Sequence, residues 1–253
     1  MVAAVTLPLT VRTDPSPPDA QVWIATLGTI RSIRDHNEDV AAQFFDQETS
    51  YALGGWGGAV AAQSWASEAQ FEIDVVDGVI PDRVRAVMYD PEAWAQTPAV
   101  EQRDPIAAFE AFASTARRAG YQVIITPHPN LVTSPDARCQ PREDETVEDA
   151  FLRCGITGAA ARVADVVEIQ AQYLETDLDA YADLVDRAAG QARAANPDIV
   201  VIAGLSTRFA ATPRTLVDAW TAVRGIVDGH YMGVPERIRP DVAAAFLQAI
   251  ASG

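Results

Sequence analysis

A chain of 253 residues is long enough for one large domain, and a (β/α)8 barrel typically needs about 250. Hydrophobic residues make up 49% and charged residues 21%, while 35 Asp plus Glu against 19 Lys plus Arg leave a net charge of −16. So acidic a chain argues against nucleic acid and anionic membranes as partners and favours neutral or cationic small molecules; the plainer reading is solubility.

No run approaches the roughly 20 apolar residues of a membrane span. Residues 1–20 read as a flexible N-terminal segment and residues 21–253 as a single β/α barrel domain. Met1 to Leu9 is apolar but short, with no Lys or Arg before it, so it is not a complete secretion signal. Thr13 to Asp19, with three prolines, resembles the tail left when a signal is trimmed, which favours export over the cytoplasm. A cytosolic protein can carry the same tail.

Gln21 to Leu27 is the first strand candidate, closed by Gly28. Val40, Phe44 and Phe45 mark one face of a short helix. Tyr51 to Leu53 reads as a short strand entering the glycine-rich turn Gly54-Gly55-Trp56-Gly57-Gly58, where glycine permits positive φ. Ala59 to Gln70 reads as helix and Phe71 to Val76 as a further strand.

From residue 84 the rhythm is regular. Val84 to Tyr89 is a strand, and Asp104-Pro105 opens a helix with a cap and first-turn proline that stops at Gly120. Gln122 to Thr126 is the next strand, followed by a long polar loop and a helix over Val147 to Arg153. Asp165 to Gln172 is a strand, with a long helix following from Asp179. Ile199 to Ala203, a helix from Thr212-Pro213, the strand His230 to Val234 and a closing helix from Pro240 complete the chain. Strand starts at 84, 122, 165, 199 and 230 lie 38, 43, 34 and 31 residues apart, the spacing of right-handed βαβ units around a parallel sheet. With two or three earlier strands the count is seven or eight, which fits a closed TIM-like barrel. A doubly wound open sheet is the alternative, but no G-x-G-x-x-G follows a first strand.

The strand over Val166 to Gln172 alternates: Val167, Ile169 and Ala171 on one face, Glu168, Gln170 and Gln172 on the other. An apolar side covered by helices leaves the polar row facing a wet, concave place, and the open end of a barrel is one. Chemistry in such barrels sits where strands run out into βα loops. The other tails carry Tyr89-Asp90-Pro91-Glu92, His128 and Asn130, Ser206 to Arg208, and His230-Tyr231. Glu168 is the expected general acid and Asp90 the base or nucleophile, because a carboxylate buried mid-strand is costly unless paired or used. Pairing of Glu168 with Arg208 or Arg85 is the structural alternative. Gln170, Gln172, Tyr89, Glu92, His128, Asn130, Tyr173, Arg208, Tyr231 and Trp56 are the candidate substrate contacts, and Trp94 is a further candidate stacking platform. Taken singly, the aromatic residues fit packing as well.

Cys139 and Cys154 flank the acidic loop; a disulfide and two free thiols are equally open.

Two pieces resemble family 18 glycoside hydrolases (chitinase-like barrels): Leu53-Gly54-Gly55-Trp56, like the glycine-rich end of a strand in that family, and Tyr89-Asp90-Pro91-Glu92, like an acidic strand end. The resemblance implies a barrel and carboxylate chemistry on a saccharide. The family's run of alternating aspartates ending in a glutamate is absent, so its substrate-assisted mechanism is not implied. The run from Val167 to Asp177 and Ala203 to Thr207 is also similar to uncharacterised bacterial barrel proteins, which implies fold and export.

Three functions follow as expectations. The first is a glycosidase-type hydrolase acting on a neutral saccharide without a cofactor. The second is a divalent-metal isomerase or lyase with Asp90, His128, Glu168 and His230 as ligands. The third is a non-catalytic barrel that binds a carbohydrate or other small molecule.

Overall fold

The computed structural model describes residues 21–209 and 212–252, so the expected N-terminal segment lies outside the described residues. Eight parallel strands close into a barrel in sequence order, β1 to β8, with β8 paired back to β1. They are β1 (Val22–Thr26), β2 (Tyr51–Leu53), β3 (Val60–Trp65), β4 (Ala86–Tyr89), β5 (Gln122–Ile125), β6 (Val166–Ile169), β7 (Val200–Ser206) and β8 (Gly229–Gly233). The closed barrel is therefore the fold, and the open sheet is excluded.

Among the described residues ten helices wrap it: α1 (Leu27–Arg34), α2 (Glu38–Phe45), α3 (Glu68–Val76), α4 (Ala99–Arg103), α5 (Pro105–Arg118), α6 (Val147–Arg153), α7 (Ile156–Ala161), α8 (Leu178–Ala195), α9 (Pro213–Val223) and α10 (Pro240–Ala251). Their starts follow cap chemistry. Asn37, Ser67, Asp104, Thr146, Asp177 and Thr212 each accept a backbone N–H of the helix they open. No helix among the described residues is long and apolar enough to cross a membrane.

The two-residue period of the strands sorts the core into two layers. Ile24, Ala62, Ala86, Met88, Ile124, Val166 and Ile202 fill the barrel interior. Trp23, Val87, Tyr89, Val123, Val167, Ile169, Val201 and Met232 face outward and pack under the helices. Each position further along an inward row emerges at the open end.

Two expectations in the first third are overturned. Ala59 to Gln70 is not one helix: Val60–Trp65 is β3, only its last three residues are helical, and the segment expected as a strand, Phe71 to Val76, continues that helix as α3. Alanine favours helix locally, but inside the barrel Ala62 is small enough to share the floor with Met88 and Ile124. Trp65, on the opposite face, packs on Phe71 of α3 at 4.9 Å between ring centres. Gly54 and Gly55, after β2, have φ of 102° and 82°, the left-handed turn glycine was expected to supply.

Cys139 and Cys154 form a disulfide that fastens the loop before α6. With a sequence separation of 15, the bridge is worth about 3 kcal/mol by loop closure. Reduction is expected to lower unfolding free energy by about that amount. Chemical denaturation with and without reductant measures it.

Candidate active site

Asp90 lies one residue beyond β4, on the inward row of Ala86 and Met88, and Glu168 lies in β6, two residues beyond inward Val166. Both line a single cavity of about 720 Å³ at the C-terminal end of the barrel. Gln170, Gln172, Glu92 and His128 line it too, as do Arg208 and Tyr231. Glu168 is only 3% exposed and Gln170 6%.

A directed chain of hydrogen bonds connects the two carboxyl groups. The Gln170 amide Nε2 donates to Asp90 Oδ1 at 2.8 Å and to the Thr126 carbonyl at 2.6 Å. Thr126 Oγ1 donates to the same Asp90 Oδ1 at 2.8 Å. Gln172 Nε2 in turn donates to Gln170 Oε1 at 3.3 Å. Every amide in this row gives its proton toward Asp90, so the far end is an acceptor, Gln172 Oε1, buried and without a donor.

That orphan oxygen stands beside Glu168. A Cβ on Gly204 of β7 would lie 2.3 Å from Gln172 Oε1 and 3.1 Å from Glu168 Oε1, so both oxygens crowd the same bare backbone. Among the described residues no donor reaches Glu168, and its expected alternative partners are engaged elsewhere. Arg208 pairs with Glu236 at 3.1 Å, and Arg85 donates to the carbonyls of Asp82 and Val84. A protonated Glu168 would bring a donor to that side of the cavity, whereas a carboxylate would bring only another acceptor.

The electrostatics agree. Burial pushes the Glu168 carboxyl well above the usual carboxylate range, and the charges of Asp90 and Glu92 push it further. Burial raises Asp90 too, but the bonds from Thr126 and Gln170 favour its charged form. Both bonds land on Oδ1, and Oδ2 takes none among the described residues. Glu92 is raised to about 7 by partial burial and then by Asp90, with Asn130 opposing. His128 is lowered to about 4 by burial, so it is neutral at pH 7. Its Nδ1 accepts the Asn130 N–H at 3.0 Å, which puts the ring proton on Nε2.

The remaining candidates divide. Asn130 and Tyr173 stand behind the cavity wall. Asn130 Oδ1 takes the Ala93 N–H at 2.9 Å; Tyr173 stacks on His128 with ring centres 5.6 Å apart and donates to Glu148 at 2.7 Å. Three others are misplaced by the sequence reading. Tyr89 neighbours Asp90 and so faces outward, where it stacks on Phe112 and donates to Glu101 at 2.6 Å. His230 neighbours Tyr231 and likewise faces outward, fully buried against Trp23 at 5.4 Å. Trp56 packs at the outer edge under the Arg34 guanidinium, 5.2 Å from its ring centre.

Without His230 the expected metal set loses a ligand. Among the described residues no three His, Cys, Asp or Glu groups are placed to hold an ion.

Sequence reasoning gave Thr126 and Ser206 no role beyond their places in strand segments, and did not mark Glu175. The first two continue the inward rows of β5 and β7, a signal present in the strand period itself. Glu175, fully buried, takes the Ser206 N–H at 2.6 Å behind the cavity wall, and burial raises it to about 8. Nothing in its local sequence distinguishes it.

Replacing Gly204 with alanine is expected to lower kcat/KM about 10²-fold by driving Gln172 out of line, with a smaller cost in stability of about 1–3 kcal/mol. Steady-state kinetics and denaturation on the same variant separate the two effects.

No family model matches the chain, and no curated protein matches it. Solved structures do. Triosephosphate isomerase from Bartonella henselae is similar at 10% identity, over 92% of this chain and 100% of that one, with a TM-score of 0.51. A Schiff-base-forming fructose-1,6-bisphosphate aldolase is similar at 17% identity over 92% and 94%, with a TM-score of 0.49. Dihydrodipicolinate synthase from Agrobacterium tumefaciens is similar at 14% identity over 92% and 76%, with a TM-score of 0.47. The isomerase likeness shows the barrel and nothing finer, and the likeness to family 18 goes no further than that fold.

Proposed function

We propose that the chain is a cofactor-independent acid–base enzyme of glycoside-hydrolase type, acting on a small neutral saccharide or glycoside. The observation that supports this is the one-way amide chain, which donates into Asp90 at one end and leaves a buried acceptor, Gln172 Oε1, on the Glu168 side at the other. Glu168 donates its proton to the leaving-group oxygen, and Asp90 Oδ2 acts as base or nucleophile at the sugar carbon. His128 Nε2–H and Tyr231 orient hydroxyl groups. The transition state of glycoside cleavage gathers positive charge, and the cavity suits it: Asp90 is anionic, Glu92 is half ionised near pH 7, and Arg208 is neutralised by Glu236.

A metal-free isomerase or lyase is the second reading. It is favoured by the neutral His128 Nε2–H, a donor that could polarise a carbonyl without giving up its proton. Its enolate would develop negative charge beside Asp90, which weighs against it.

A panel of 4-nitrophenyl glycosides and a panel of small ketoses in D2O separate these readings. Release of nitrophenol that Asp90→Asn reduces at least about 10²-fold supports the hydrolase. Deuterium appearing at a substrate carbon, with every glycoside left intact, replaces it with the second reading.

A further inference from the structure

Beside its charged groups, the cavity has two lining residues that are large, apolar and in contact with water. Trp94, in the loop after β4, is 39% exposed, and Phe209, just after β7, is 46% exposed. Single exposed apolar residues are common on protein surfaces, but these two belong to separate loops and border the same cavity.

Trp94 is also held in place. Its Nε1 donates at 3.0 Å to Thr97 Oγ1, a hydroxyl on a residue only 1% exposed. The same oxygen accepts the Glu92 N–H at 3.1 Å. The Gln102 amide then ties the carbonyls of Trp94 and Thr97 together, 2.7 Å from each. One buried hydroxyl therefore fixes both an exposed indole and the backbone of Glu92. An indole fixed in this way has already lost the rotamer freedom that binding would otherwise remove.

We propose that Trp94 and Phe209 form a binding subsite for a ring with an apolar face, joined to the group that Asp90 and Glu168 act upon. Such a ring is either an aryl aglycone or a second pyranose, both of which present C–H or π surface to an aromatic side chain. What the ring is attached to rests on the hydrolase reading; the contact itself does not.

The test uses the full chain labelled with 5-fluorotryptophan, the Trp94 ¹⁹F resonance being assigned with the variant Trp94→Phe. The probes are methyl and phenyl 1-thio-β-D-glucopyranoside and β-D-glucopyranosyl 1-thio-β-D-glucopyranoside, which resist cleavage. The phenyl or the glucosyl probe is expected to shift the Trp94 resonance and to bind about tenfold tighter than the methyl probe. Trp94→Ala is expected to erase that preference, and Phe209→Ala to reduce it. A shift with the phenyl probe alone identifies an aryl group, and with the glucosyl probe alone a second sugar. A Trp94 resonance that no probe moves, or a preference that survives Trp94→Ala, overturns the subsite. The hydrolase reading fails separately, when Glu168→Gln leaves glycoside cleavage intact while the ring preference persists.

Discussion

Glu168→Gln is expected to lower turnover by a factor of about 10² to 10⁴ while leaving the fold at pH 5 as stable as before, within about 1 kcal/mol. The two halves of that result test different statements. Loss of turnover follows if Glu168 supplies the proton. Retained stability follows if Glu168 is already uncharged in the folded protein, since glutamine then replaces one neutral group by another of the same shape. The amide nitrogen is itself a donor, the kind of group that Gln172 Oε1 lacks.

A stability profile against pH carries the same information. A carboxyl raised in the folded state holds its proton where the unfolded chain has released it, so stability is full below the unfolded value near 4.5 and is lost as pH rises toward the folded value. Glu168→Gln removes that loss. Its stability should therefore gain on that of the parent protein between pH 5 and 8. Equal slopes for the two proteins, together with unchanged turnover, would sink the acid assignment.

The strands β5 to β7 were legible because each is a short Val- or Ile-rich run, and β4 and β8 because they fall at the same spacing between helix signals. The first third was not, because β2 is three residues long and β3 is built on alanine, whose local preference is helical. A barrel interior reverses that preference by demanding small inward residues where neighbouring strands converge. The placing of candidates at strand ends found Asp90 and Glu168, since both continue inward rows. Tyr89 and His230 fail for the same reason: each sits next to an inward residue in an extended strand and must face the helices. The direction of the amide chain has no sequence signature. It depends on Gln172 leaving the strand for a short 3-10 turn, which brings its side chain over Gly204.

His230→Phe is expected to stabilise the protein, and increasingly so as pH falls. The His230 ring is fully buried against Trp23, and neither ring nitrogen has a hydrogen-bond partner. Removing those nitrogens relieves a desolvation cost of about 1–3 kcal/mol at pH 7. The pH dependence has a definite sign. Burial lowers His230 from 6.5 to about 3, so the folded protein keeps the ring neutral where the unfolded chain takes up a proton. The unfolded state then binds more protons, and stability falls as pH drops below the unfolded value. The contribution is whole above pH 6.5 and is lost toward pH 3, at about 1.4 kcal/mol per pH unit. Between pH 6.5 and 5 the advantage of His230→Phe over the parent should widen by about 2 kcal/mol. The comparison must be between the two proteins, because the raised carboxyls of Glu168 and Glu175 stabilise the fold in the opposite direction over part of that range. Urea denaturation of both proteins at half-unit pH intervals measures the difference. A constant gap across the series would mean that the imidazole is already protonated or hydrated inside the fold, and would contradict its placement in the dry layer between strands and helices. Activity of His230→Phe should match the parent at pH 7, since the ring lies behind the sheet, on the side away from Asp90 and Glu168.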